Sequence, residues 1–205
     1  MHAVCNYELR DIIAALTILI ISDIILEDDT RTIMYGYFDM EGETMLKKIL
    51  SGEACAKCRL CCIFDRYDVW ETPVFTAELC EKIKAARPDV QFVTKDGGYI
   101  FRVGELKGDE LFSCPALTEN GCMLGDEKPF DCRIWPYRIM EVGGRRAITF
   151  ASICEELYHR PLSELVGLLK EGLADVIFAY ADEHPEIVKP YYEGYPVLMF
   201  ERKPL

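Results

Sequence analysis

The chain has few histidines, no basic excess and none of the common catalytic motifs. Only three of its 205 residues are histidine, and it contains no HExxH motif, phosphate-binding loop, nucleophile elbow or GxGxxG loop. Zinc-protease, nucleotide-hydrolase, α/β-hydrolase and dinucleotide-binding chemistry are therefore not indicated. The net charge of −12 argues against nonspecific nucleic-acid binding, which needs a basic surface to neutralise phosphates.

The chain also lacks an apolar run long enough to cross a membrane. Residues 12–21 are apolar except for Thr17, and Asp11 and Asp23 bracket them, whereas a membrane span needs about 20 apolar residues. No small-residue cleavage site follows, so the segment does not resemble a signal peptide. We interpret residues 8–26 as a helix buried in the protein or against a partner, and we expect a cytoplasmic protein that does not associate with membranes.

Cysteine is abundant by contrast, and its distribution is uneven. Ten residues are cysteine, and all but Cys5 lie within residues 55–154. That segment has a net charge of −1, whereas residues 1–54 carry −6 and residues 155–205 carry −5. In a reducing cytosol, clustered thiols are metal ligands or redox groups more often than disulfides. Arg59, Arg133 and Arg138 are then candidates for offsetting thiolate charge.

Eight of the cysteines form two groups with the spacing of metal ligands. The first group has the pattern C-x2-C-x2-C-C, and two intervening residues let a tight turn bring two sulfurs to one metal centre. The second group is more widely spaced, and His159 is an alternative to its last member. Cys5 and Cys80 stand apart, and we expect them to be ordinary buried thiols. The candidate metal ligands are Cys55, Cys58, Cys61, Cys62, Cys114, Cys122, Cys132 and Cys154.

The ligand type does not choose between zinc and an iron–sulfur cluster, since sulfur coordination suits both. Cys55, Cys58 and Cys61 match the first three positions of a ferredoxin run, but Cys62 follows at once where x3-Cys-Pro is expected. A fourth ligand must come from elsewhere, and Cys114 is one candidate. Because adjacent thiolates do not easily reach one corner, either Cys61 or Cys62 bridges two ions or belongs to a second centre. We expect one or two centres and favour iron–sulfur over zinc.

Four segments of the chain resemble a known family. They are CAKCRLCC (55–62), SCPAL (113–117), NGCML (120–124) and KPFDCRIWPYR (128–138). Together they resemble the CxxCxxCC cysteine-cluster family, described as a zinc- or iron-chelating domain, over residues 53–156. The resemblance implies metal binding through seven of the candidate cysteines, with Cys154 as the eighth, and it implies no established reaction. A fused form of the same cluster is similar to one in flagellin lysine N-methylases.

Three functions are compatible with these observations. The first is an iron–sulfur protein with an electron-transfer or redox role, which would be an oxidoreductase if it is an enzyme. The second is a structural zinc module that engages a protein partner through its acidic surface or through a helix over residues 161–183. The third is a methyltransferase accessory, which depends only on the fused relatives.

The hydrophobic pattern predicts an α+β fold. We expect hairpins at 90–94/99–103 and 138–142/146–150, a helix from Thr76 to residue 87, a long helix over 161–183 and a strand over 197–200. The two hairpins are expected to form one small antiparallel sheet, with several helices around a cysteine-rich metal site. We divide the chain into an N-terminal helical extension (1–52), a cysteine-cluster metal-binding domain (53–156) and a C-terminal helix and tail packed on it (157–205).

Overall fold

The computed structural model describes residues 46–64, 72–102 and 111–202, all of which belong to the unit Gly42–Leu205. The helix predicted over residues 8–26 lies outside these ranges, so the three-part division of the chain stays a prediction. Within the described ranges, no helix combines the length and the apolar character that crossing a membrane requires.

The α-helices of the described residues are short. They are α1 (Gly52–Cys58), α2 (Ala77–Ala86), α3 (Phe130–Arg133), α4 (Glu155–Tyr158), α5 (Leu162–Leu168) and α6 (Ala174–Glu183). Single 3₁₀ turns occupy Leu60–Cys62, Gly125–Glu127 and Pro185–Ile187. Helix α2 begins as predicted, because the Thr76 hydroxyl oxygen accepts a hydrogen bond from the amide of Leu79 at 3.3 Å.

Among the described residues, the strands form one four-stranded sheet and three two-stranded ones. The strands are β1 (Ile63–Phe64), β2 (Phe92–Lys95), β3 (Gly98–Phe101), β4 (Phe112–Ser113), β5 (Leu117–Thr118), β6 (Gly121–Cys122), β7 (Tyr137–Val142), β8 (Arg145–Phe150), β9 (Lys189–Pro190) and β10 (Val197–Phe200). The larger sheet has the order β10-β8-β7-β9, in which only β7 and β9 run parallel. The two-stranded sheets are the antiparallel pairs β1–β4, β2–β3 and β5–β6.

The mixed class and both predicted hairpins are confirmed, but the prediction that the hairpins share one sheet is wrong. The β2–β3 hairpin is a separate sheet, whereas β7–β8 lies in the centre of the larger one. The reason is that two strands from the C-terminal part of the chain, β9 and β10, pair with the two edges of the β7–β8 hairpin. Strand β10, predicted correctly, pairs with β8, and β9 pairs with β7.

The single long helix predicted over residues 161–183 is also wrong. Helices α5 and α6 are separated by a π turn, Leu169–Leu173, in which Gly172 has a φ of 127°. That value lies outside the helical region, and glycine adopts it without steric cost. The apolar periodicity continues across the break, since Leu165, Leu169 and Leu173 are all buried. The pattern therefore identified the buried face but not the break.

A buried hydrophobic cluster lies beside the cysteine-rich segments. The rings of Phe75, Phe92 and Phe101 pack together with centroid separations of 4.5–5.5 Å. Cys80 and Cys114 belong to the same cluster, and Cys80 is buried as predicted. The metal-ligand candidates thus adjoin a hydrophobic core formed by α2 and the β2–β3 hairpin.

Titration of the Cys80 thiol should make stability depend on pH. Burial raises its pKa from 9.0 to about 11, so the folded state holds this proton more tightly than the unfolded state. The stabilisation is complete below pH 9 and is lost as the pH rises toward 11. The difference in unfolding free energy between the wild type and Cys80→Ala, measured by urea denaturation under reducing conditions, should therefore shrink over that interval. A difference in unfolding free energy that stays constant from pH 9 to pH 11 would contradict the raised pKa of Cys80.

Candidate metal centre

Helix α1 and the 3₁₀ turn after it carry the first four candidate metal ligands. The Ser51 hydroxyl oxygen caps α1 by accepting a hydrogen bond from the amide of Ala54 at 3.1 Å. The helix ends at Cys58, and the φ of 57° at Arg59 reverses the chain into the turn Leu60–Cys62. Cys55 and Cys58 therefore lie on the helix, while Cys61 and Cys62 lie on the turn.

A backbone hydrogen bond places Cys114 beside the first group. Strands β1 and β4 pair in the register Ile63 with Ser113, and the amide of Cys114 donates to the carbonyl of Cys62 at 2.7 Å. Two cysteines that lie 52 positions apart in the sequence are thereby held together by the backbone.

The β5–β6 hairpin brings Cys122 to the same place. The amide of Leu117 donates to the carbonyl of Cys114 at 2.9 Å, which fixes the start of the hairpin. Its turn approaches α1 closely, because a Cβ atom at Gly121 would lie 3.3 Å from the Cβ of Ala56. The Arg59 guanidinium connects the two elements by donating to the carbonyls of Ala56 and Glu119.

Helix α3 carries Cys132, and a buried ion pair holds this helix in place. The Asp131 carboxylate accepts from the amide of Val74 at 3.2 Å and lies 3.3 Å from the Lys189 ammonium group. Lys189 also donates to the carbonyl of Thr72 at 2.9 Å. Burial lowers the Lys189 pKa to about 8. The pair connects α3 with strand β9 and with residues 72–74.

These elements surround one cavity with cysteines. The cavity has a volume of about 200 Å³. Its remaining wall is mainly apolar, with Phe64, Phe75 and Leu124, and its polar members are Arg59, Asn120 and Lys128. We call it the large cavity. The six cysteines that line it are Cys55, Cys61, Cys62, Cys114, Cys122 and Cys132.

The other two candidates lie off the large cavity. Cys58 and Cys154 line a much smaller cavity of about 10 Å³, which Cys55 and Cys61 also border. We call it the small cavity. Trp135 forms part of its wall. The eight candidates are thus divided between two neighbouring cavities that share two cysteines.

The sulfur atoms are close but are not arranged as a finished coordination shell. The Cys61 thiol hydrogen-bonds to the side chains of both Cys55 and Cys62. Even so, no group of three or more Cys, His, Asp or Glu side chains in residues 46–64, 72–102 and 111–202 has the geometry to hold a metal ion. The candidate cysteines therefore line shared cavities, and no three of those described converge on a single metal position.

Hydrogen bonding and burial act on the thiols in opposite directions. The hydrogen bond from Cys61 lowers the pKa of Cys55 to about 6 and also lowers the pKa of Cys62. Burial raises the pKa of Cys114 to about 12 and the pKa of Cys122 above its usual value. Cys132 lines the large cavity, and desolvation by the surrounding protein raises the pKa of its thiol well above the usual value.

Lys128 is a cation of this site that sequence reasoning missed. It lines the large cavity together with Arg59, and its charge lowers the pKa values of Cys55 and Cys62. Of the arginines considered from the sequence, Arg59 borders both cavities, whereas Arg138 is buried with its guanidinium 4.8 Å from the Trp135 ring. The signal for Lys128 was available, since it begins the motif KPFDCRIWPYR.

Comparisons with known proteins add no further evidence. The chain matches no model of a protein family, no curated protein and no solved structure. The functional interpretation therefore depends on the arrangement of the cysteines.

Gly121 should tolerate a side chain less well than a glycine with similar backbone geometry. Gly121 has a φ of 105° and faces Ala56, whereas Gly194 has a φ of 104° and no atom within 4 Å of its Cβ position. Gly194→Ala should cost only the backbone strain, about 1–3 kcal/mol, and Gly121→Ala should cost more because Ala56 must also shift away from the new Cβ atom. Urea denaturation measures both losses, and equal losses would contradict the close approach.

The Lys189–Asp131 pair should show strong energetic coupling. Lys189→Met leaves a buried carboxylate without its cation, and we expect a loss of about 3 kcal/mol in unfolding free energy. Asp131→Asn leaves the buried ammonium group without its carboxylate. The double variant should therefore lose less than the sum of the single losses in a double-mutant cycle measured by urea denaturation. Additive losses would show that the two groups do not interact.

Proposed function

We propose that this protein binds an iron–sulfur cluster in the large cavity and has an electron-transfer or redox role. The observation that carries the proposal is the convergence of six cysteines on one cavity from segments as far apart as residues 55 and 132. Thiolate sulfur is the ligand that holds iron–sulfur clusters in proteins. The resemblance to the cysteine-cluster family, carried by the same residues, implies metal binding and leaves the choice between zinc and iron open.

The size of the large cavity supports a group of several atoms. Its volume of about 200 Å³ exceeds the need of one ion, since an apolar cavity of about 150 Å³ accepts a molecule of benzene.

The lining of the large cavity favours redox over proton-transfer chemistry. Among the described residues that line it, there is no carboxylate and no histidine, which are the usual general acids and bases. A bound cluster supplies reversible one-electron transfer. Cys62, Cys114, Cys122 and Cys132 would provide ligands, while Lys128 and Arg59 would offset part of the negative charge. The apolar wall would limit solvent access and adjust the potential.

Purification without oxygen tests the proposal. The wild type should be brown, contain iron and acid-labile sulfide, and show a broad visible absorption that bleaches on reduction. Cys122→Ser should lose most of the iron and the colour, because it removes a cavity thiol. Cys80→Ala is the matched control, since Cys80 is a buried thiol outside the cavity, and it should keep both.

A colourless protein that carries zinc and no iron would overturn the iron–sulfur proposal. That result would favour a structural zinc module, in which removal of the metal by a chelator unfolds the domain. Circular dichroism before and after chelation would measure the unfolding.

A further inference from the structure

We propose that the eight cysteines form two separate metal centres, one for the cluster and one for a single thiophilic ion. The first consists of Cys62, Cys114, Cys122 and Cys132 at the large cavity. The second consists of Cys55, Cys58, Cys61 and Cys154 at the small cavity. This division rests on the proposed function, because it assigns ligands within the same cysteine-rich site.

The division follows from which cysteines each cavity has to itself. Cys62, Cys114, Cys122 and Cys132 line only the large cavity of the pair, and Cys58 and Cys154 line only the small one. Sulfur-bound structural metals take four ligands. Four cysteines line the large cavity and not the small one, so the two shared residues, Cys55 and Cys61, complete the small centre.

The division also explains the adjacent pair in the C-x2-C-x2-C-C motif. The carbonyl of Cys62 accepts a hydrogen bond from the amide of Cys114, which places the backbone of Cys62 beside the second cysteine group. The three regularly spaced cysteines then belong to one centre. Their fourth ligand becomes Cys154, in place of the Cys114 considered from the sequence.

The volume of the small cavity restricts its occupant to one ion. A space of about 10 Å³ is close to the minimum that holds a single water molecule. Four thiolates select a soft or borderline ion such as zinc. Because Cys154 directly precedes α4, this ion would join α1 and its turn to the segment that follows β8.

Metal analysis of four ligand variants and one control variant tests the assignment. After purification without oxygen, Cys58→Ser and Cys154→Ser should lose zinc but keep the iron, sulfide and visible spectrum of the wild type. Cys114→Ser and Cys122→Ser should lose iron and sulfide but keep zinc. Cys80→Ala should keep all three. Equal loss of iron from Cys58→Ser and Cys122→Ser would overturn the assignment, as would full zinc retention by Cys154→Ser.

Alkylation of the wild type provides a test that does not depend on how well the variants fold. The protein is treated with a zinc chelator and then with iodoacetamide, and mass spectrometry locates the labels. Labelling of Cys58 and Cys154 should rise with zinc release, while Cys114 and Cys122 stay protected. Uniform labelling of all four would overturn the assignment. Iron without any bound zinc, even after incubation with zinc, would overturn the second centre alone, and a protein that binds neither metal would overturn the proposed function too.

Discussion

The hydrogen bond from the amide of Cys114 to the carbonyl of Cys62 is the contact on which the cysteine-rich site depends. It continues the pairing of β1 with β4 and joins two segments that are distant in the sequence. The β5–β6 hairpin follows directly from Cys114, and α1 packs on its turn at Gly121. Without this pairing, no covalent or local constraint would bring the first four cysteines to the later ones.

The second constraint is charge. Burial opposes ionisation of Cys114, Cys122, Cys132 and Cys154, and the cations that line the large cavity are Arg59 and Lys128. A cysteine that binds a metal does so as a thiolate. Under the proposed function, the bound metal would therefore supply much of the positive charge that ionisation of these buried thiols needs.

Local sequence signals predicted the short-range structure well. Asp96-Gly97 and Gly143-Gly144 form turns between pairing strands, and Thr76 caps α2. These features depend on a few neighbouring residues, so they can be read without knowledge of the rest of the chain. The break at Gly172 could not be read in this way, because buried leucines continue the helical spacing on both sides of it.

The amino-acid sequence by itself determined which cysteines are candidate metal ligands and that four of them lie within residues 55–62. It also determined the turns, caps and apolar faces, because these depend on local chemistry. Only the tertiary structure decided that the two hairpins lie in different sheets, that Lys128 lines the large cavity, and that Cys58 and Cys154 line the small cavity and not the large one. Those outcomes depend on contacts between residues far apart in the chain, which spacing alone does not specify.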